Sequence, residues 1–507
     1  MKKFLLKIIT LSNFLFIAHY SFSQTPEIEW QNTIGGTGND ILHVMIATTD
    51  GGYIAGGASA SLISGDKTEN VIGGNPVYND YWVVKLDASG NIMWQNTIGG
   101  TSYDYFTCLQ QTMDGGYIVG GYSRSGITGD KTEAVIGGGS TYDFWVLKLD
   151  ATGNIVWQNT IGGTDDDRLK QIIQTSDGGY ILGGESESEI SADKSDPLIG
   201  ADDLWIIKIN ETGILMWQKT IGGVASDRLS DIKQTPDGGY IVASYSTSGI
   251  SGNKTESSNG FYDYWILKLN SIGNIIWQNT IGGINYDEAR SIELTTDGGY
   301  IIGGISDSEI SGDKTEDHYE GEDDDAYDIW LVKINSVGNV VWDNTIGGIG
   351  EDEMRSMKQT ADNGFIIAAR SYASFSGDKV ESNIGEGDGW LIKLNEEGDV
   401  IWQNTIGGYS FDGIRDIDIT SDGGYILGMF SRSGINGDKT EDVIGEGDYW
   451  IIKMSEDDCL LQPTYADIDL DGYGIEPPLY FACEPSAFQS MVAGDFHDLN
   501  NFIHPGY

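Results

Sequence analysis

The sequence predicts an all-β chain: a seven-bladed β-propeller of four-stranded antiparallel blades, the last blade closed by the N-terminal strand. Three observations predict it. The 14 tryptophans fall into seven matched pairs. One member heads the phrase WQNTIGG or a close variant (Trp30, Trp94, Trp157, Trp217, Trp277, Trp342, Trp402), and the other lies in an apolar segment (Trp82, Trp145, Trp205, Trp265, Trp330, Trp390, Trp450). Self-similarity at a fixed period marks a repeat architecture, and here the period is 60 to 65 residues. Each period holds four strand signals, which suits a propeller blade and not a helical repeat. Finally, the chain opens on a WQNTIGG strand with nothing before it to pair with, and the repeats end at Tyr449 to Met454 with no such strand after.

The third unit shows each element. Arg168 to Thr175 alternates apolar and polar residues, as a half-buried strand does. Asp177-Gly178-Gly179 supplies the left-handed backbone angles of a tight hairpin. Tyr180 to Glu187 is a second strand, and a loop holding Ala192-Asp193-Lys194 leads to a third, Leu204 to Ile209. The turn Asn210-Glu211-Thr212-Gly213 then starts a fourth, Ile214 to Ile221. With strands lettered A to D from the axis outward, the segment around Trp30 becomes strand D of the last blade, which closes the ring and leaves no open edge.

Spacing locates the repeated positions. Ten residues separate each WQNTIGG tryptophan from an aspartate: Asp40, Asp104, Asp167, Asp227, Asp287, Asp352 and Asp412. Ten more lead to the hairpin aspartate, and 16 more to the aspartate of a Gly-Asp-Lys loop, asparagine at Asn253. Only the next stretch varies, from 12 to 17 residues to the strand-C tryptophan, so length variation is confined to the B–C loops. The longest insertions are Val71 to Asp80 and the acidic Asp317 to Asp328. Antiparallel geometry puts the D–A turns, the aspartates, the loop lysines (Lys67, Lys131, Lys194, Lys254, Lys314, Lys379, Lys439) and every insertion on one face, and insertions on one face often mark the binding face.

At the head of the innermost strands the seven aspartates could rim the channel and hold a cation, or could cap loop amides and pair with the loop lysines. Repetition in all seven units favours the structural role. The strand-C lysines (Lys85, Lys148, Lys208, Lys268, Lys333, Lys393, Lys453) are expected on a solvated or ion-paired face.

Composition bounds the rest. Residues 1–23 read as an export signal: Lys2, Lys3 and Lys7, an apolar run from Ile8 to Ala18, then Ser21-Phe22-Ser23. Residues 24–455 form the propeller and 456–507 an Asp-rich tail. Without residues 1–23 the charge is 26 minus 77, or −51, which disfavours nucleic acid and anionic lipid as partners. No segment is expected to span a membrane, and a monomer is expected. Cys108 reads as a small buried thiol, while Cys459 and Cys483 could pair in an oxidising compartment.

Catalytic patterns are missing from the sequence. The histidines after the signal are His43, His318, His497 and His504, none in a recognisable nucleophile setting, and neither HExxH nor a phosphate loop occurs. In the tail, Asp467, Asp469 and Asp471 are spaced two apart before Gly472, which suits an oxygen-seeking ion such as calcium. Pro478 occupies the twelfth position, so this is not a helix-loop-helix calcium site.

Three resemblances follow from these residues. The phrase KLDASGNIMWQNTIGG, Lys85 to Gly100 and its recurrences, resembles the repeat of pyrroloquinoline-quinone-type propellers. That resemblance implies the fold but no quinone, because such dehydrogenases use adjacent cysteines and typically eight blades. The tail resembles thrombospondin type 3 calcium-binding repeats, which implies that Asp495, Asp498 and Asn500 join Asp467, Asp469 and Asp471 as calcium ligands, although Phe496 and His497 replace the expected Cys and Asp. The DGGYI and GDKTE phrases look like those of bacterial surface proteins using type IX export, although no recognisable sorting domain precedes Tyr507. The resulting expectation is a secreted or cell-surface, non-enzymatic binding or adhesion scaffold whose protein or glycan ligand lies on the B–C loop face. The alternatives are a surface glycan-degrading hydrolase or lyase and a purely structural spacer.

Overall fold

The computed structural model describes residues 25–319 and 326–456 and the short strands Gln462–Ala466, Ile475–Ala482 and Gln489–Ser490. Thr25–Glu456 is one compact unit, a ring of seven four-stranded antiparallel sheets. In the first blade, strand A is Asp40–Ala47, B is Tyr53–Ser59, C is Asp80–Leu86 and D is Ile92–Ile98. In the seventh, A is Asp412–Ile419, B is Tyr425–Ser431 and C is Asp448–Met454, and D is Ile28–Ile34 from the start of the ring. This last pair is antiparallel, with Trp30 opposite Lys453 and Thr33 opposite Trp450. The three C-terminal strands form their own antiparallel sheet with Gln462–Ala466 in the middle.

Each side chain of the WQNTIGG phrase has a partner that explains its repetition. In the first blade Trp94 meets Tyr117 of the next blade edge-on, with ring centroids 5.8 Å apart. It also covers Gly153 in that blade's C–D turn, where a Cβ would come 2.8 Å from the indole. The Gln95 carbonyl accepts the Trp82 indole N–H at 3.2 Å, and its amide donates to the Asp66 carbonyl at 2.7 Å. Asn96 donates to the Gly153 carbonyl, and Thr97 bonds the Lys67 ammonium. Gly99 is glycine because a Cβ there would come 2.2 Å from Asp80 Oδ1. The variant Asp343 still performs the glutamine's task, accepting the Trp330 N–H at 3.1 Å.

The two tryptophan sets are not equivalent. All seven strand-C rings are 0 % exposed, whereas the strand-D rings are half-buried except Trp402. Each strand-C ring packs between two blades: Trp265 lies in one cluster with Ile181, Leu204 and Ile221 of the preceding blade. The core is therefore a set of inter-blade seams.

Candidate functional site: the axial channel and its rim

The seven strand-A aspartates are all 0 % exposed and do not rim the channel. Asp40 accepts the Gly36 N–H at 2.7 Å and the Ser61 hydroxyl at 2.9 Å. Every blade repeats the glycine contact, so these carboxylates cap the D–A turns. A second sevenfold set, which the sequence reading missed, heads strand C: Asp80, Asp143, Asp203, Asp263, Asp328, Asp388 and Asp448. Each takes a backbone N–H of its own B–C loop, Ile72 for Asp80 and Ile444 for Asp448 among them. Its signal was an aspartate two residues before every strand-C tryptophan.

The loop lysines are buried too, with at most 2 % exposure. Their ammonium groups lie 4.8 to 5.7 Å from the centroids of the strand-C tryptophans and bond the strand-D threonines. No loop lysine makes an ion pair with a strand-A aspartate among the described residues. A loop-clamping role thus accounts for the Gly-Asp-Lys repeat, and its glycine holds φ near +55° (Gly65, Gly377), with Ala192 at 46° in one blade. Of the two settings expected for the strand-C lysines, solvated or ion-paired, the structure shows the second, with 1–5 % exposure. They are ion-paired with the hairpin aspartates, as Lys268 is to Asp237 at 2.9 Å.

These buried groups set a pH dependence. Burial pushes Asp80 and Asp328 up to about 8 and Asp143 and Asp263 up to about 7. Folded carboxyls of this kind keep protons that the unfolded chain, near 3.9, has released, so their stabilisation is present at low pH and lost as pH rises through 7 and 8. Burial holds Lys67, Lys131, Lys254 and Lys379 down at about 8, so their penalty on folding is already complete below that pH and eases only above it. The Thr235 hydroxyl, with Lys268, holds Asp237 at about 2, so its contribution is present above about 4 and lost as pH falls through 2. Thermal unfolding should therefore show a midpoint that rises as pH falls from about 8.5 to about 5 and drops below about 4. Asp80→Asn with Asp328→Asn should flatten the upper limb, and an unchanged limb would refute the assignment.

Among the residues that line the channel, one position recurs in every blade. In every strand A the pairing with strand B slips between the second and fourth residues after the aspartate, Leu42/Val44 in the first blade and Ile414/Asp416 in the last. The slip is a β-bulge, a device that re-aims a side chain. The bulged residue is His43, Thr107, Lys170, Ser230, Arg290, Arg355 or Arg415. All seven are half-buried and line a cavity of about 250 Å³. Six of them also line a second cavity of about 400 Å³.

Unlike the aspartates, this ring is asymmetric, with three consecutive arginines beside a histidine. The same edge carries aromatic clusters in some blades only. Tyr103 stacks on Tyr105 (5.7 Å, 9°), Tyr105 on Tyr122 (5.0 Å, 27°), and Tyr142 meets both edge-on. Arg124 sits 4.7 Å over Tyr142. Tyr245, Tyr262 and Tyr286 form a second cluster, and Tyr372, Phe411 and Phe430 a third beside Arg370 and Arg432. The spacing held the ring at the third residue after each spaced aspartate, a place with no repeated residue type.

The proposed calcium ligands Asp467, Asp469, Asp471, Asp495, Asp498 and Asn500 lie outside the described residues, as do Cys459, Cys483, residues 1–24 and 320–325 of the acidic insertion. Among the described residues no group of three or more His, Cys, Asp or Glu is arranged to hold a metal ion, and no helix is long and apolar enough to cross a membrane. Cys108 is buried and unpaired.

No family model matches the chain. It is 22% identical over 435 residues to the regulatory protein FlaEY of Caulobacter vibrioides, covering 80% of this chain and 44% of that protein. The chain thus spans less than half the length of that relative. Among solved structures it is similar to the Pan2 WD40 domain of Neurospora crassa, at 9% identity and a TM-score of 0.44, covering 84% of this chain and 98% of that one. It is also similar to Sqt1 of Chaetomium thermophilum, at 10% identity and a TM-score of 0.38, covering 85% and 99%.

Proposed function

We propose that the protein is an exported, non-enzymatic binding module that takes a glycan on the face carrying the D–A turns and B–C loops. One observation carries this reading. The polar groups repeated in all seven blades are spent on internal clamps, whereas the tyrosines and arginines around the channel mouth break the sevenfold pattern. A ligand selects unlike residues, and packing selects like ones. Tyrosine faces supply large, rigid area at low entropic cost and a hydroxyl for the sugar's own hydroxyls.

The test is a glycan array probed with residues 24–507, followed by titration of the best ligand with a Tyr105→Ala/Tyr142→Ala variant of unchanged unfolding midpoint. Binding should weaken at least tenfold, about 1.4 kcal/mol, with no new reducing ends released. Unchanged affinity would refute the rim as the site, and reducing ends formed by the parent would make the protein a glycan-degrading enzyme.

A further inference from the structure

Within a strongly acidic chain, the channel mouth collects cations on one side. Arg290, Arg355 and Arg415 stand on successive blades as bulged residues, next to His43 across the closure of the ring. Acids nearby do not cancel them. Arg290 is paired with Glu288 at 2.9 Å, while Arg355 and Arg370 share the single carboxylate of Glu353. Arg415 has neither an ion pair nor a hydrogen bond among the described residues; it stands 5.9 Å from the Phe430 ring and feels the Glu353 carboxylate only through space. The Nε atoms of Arg290, Arg370 and Arg415 are buried without a hydrogen-bond partner. An unsatisfied buried donor is costly, and charged donors converging on a cavity are the arrangement that an oxyanion completes.

The deeper carboxylates are already committed. Asp416 and Asp418 accept the Met45 and Ala47 N–H groups at 2.9 and 3.0 Å, joining the last blade to the first. The field at the mouth is felt by His43, which burial, then Arg415 and Arg355, hold down at about 3. At neutral pH it is therefore an uncharged imidazole beside guanidinium groups, able to donate or accept one hydrogen bond.

We propose that this side of the channel mouth, centred on Arg415 and Arg355, is an oxyanion site that receives the carboxylate or sulfate group of an acidic sugar. This rests on the glycan-binding reading and narrows it: the charged group enters the mouth while the sugar ring lies against the aromatic rim, where Tyr372 and Phe411 stand beside Arg370. The cavity, about 250 Å³, has room for one such residue and not for a folded chain.

Calorimetric titration of residues 24–507 at low salt would use three probes: an oligogalacturonate, a neutral galactose oligomer of equal length, and inorganic sulfate. The oligogalacturonate should bind, and Arg415→Gln should weaken it about 10- to 100-fold, as expected for one charged hydrogen-bonded pair of about 1.5–3 kcal/mol. Arg415→Lys should recover part of the loss. The His43 imidazole resonances should titrate at higher pH in the complex, which a merely structural arginine would not cause. Sulfate binding with the same Arg415 dependence, and no binding of the oligogalacturonate, would support the oxyanion site and overturn the sugar as its carrier. Uronate affinity untouched by both Arg415→Gln and Arg355→Gln would overturn the site. If the neutral oligomer then still binds in a Tyr105- and Tyr142-dependent way, the glycan-binding reading stands without it.

Discussion

Trp265→Ala is expected to destabilise the propeller by about 3–5 kcal/mol, the range for emptying a large aromatic site in a core. The ring is 0 % exposed and seals the seam between the third and fourth blades. Its loss would also strip two partners of a contact. The Gln278 carbonyl would lose the indole N–H it accepts at 3.0 Å, and the Lys254 ammonium would lose the ring face 4.9 Å away, worth about 0.5–2 kcal/mol. Trp277→Ala, at the half-buried strand-D position, should cost clearly less. Denaturant unfolding of the two variants checks this, and equal losses would show that the two tryptophan sets carry equal weight.

Removing the chain up to Ile34 is expected to do more, abolishing cooperative unfolding of the monomer. The missing strand is the outer edge of the last blade, and nothing else in the ring covers it. Gln31 accepts the Trp450 N–H at 3.0 Å and donates to the Asp438 carbonyl at 2.8 Å, and Thr33 bonds the buried Lys439 at 2.9 Å. Without them, strand C of that blade would present unpaired backbone, and the buried Lys439 ammonium would lose its hydroxyl partner. The exposed edge should recruit another copy, so aggregation or dimerisation in sedimentation is the expected companion of the lost transition. A truncated chain that stays monomeric and melts within a few degrees of the parent would show that the closure is dispensable.

Fold and site were unequally legible in the sequence. Blade number, strand order and closure could be read because packing imposes the same residue at the same interval, and Trp82 and its six counterparts report that directly. The capping role of Asp40 was legible as one of two roles, and burial decides between them. The fate of Lys85 was likewise legible only as one of two, because a lysine in an apolar strand looks the same whether its ammonium reaches water or the hairpin Asp50, 2.9 Å away. The arginine ring was missed for a different reason. A search for repetition passes over the position where repetition stops, and a bulge inserts a residue without disturbing any spacing. His43 and Arg415 hold equivalent places in their blades, each three residues after its aspartate, but share no chemistry, and the pairing register shows what that place does.

That bulge has an evolutionary consequence. Because the looped-out residue takes no part in the ladder, each blade has one position whose residue type the backbone pairing does not dictate and which lines the mouth. Seven such positions on a constant frame make a combinatorial library in a single gene. The chemistry at the mouth can change one letter at a time, between basic and neutral across these seven blades, without touching the seams between blades. The same separation offers an engineer a receptor whose selectivity can be rewritten without redesigning its scaffold.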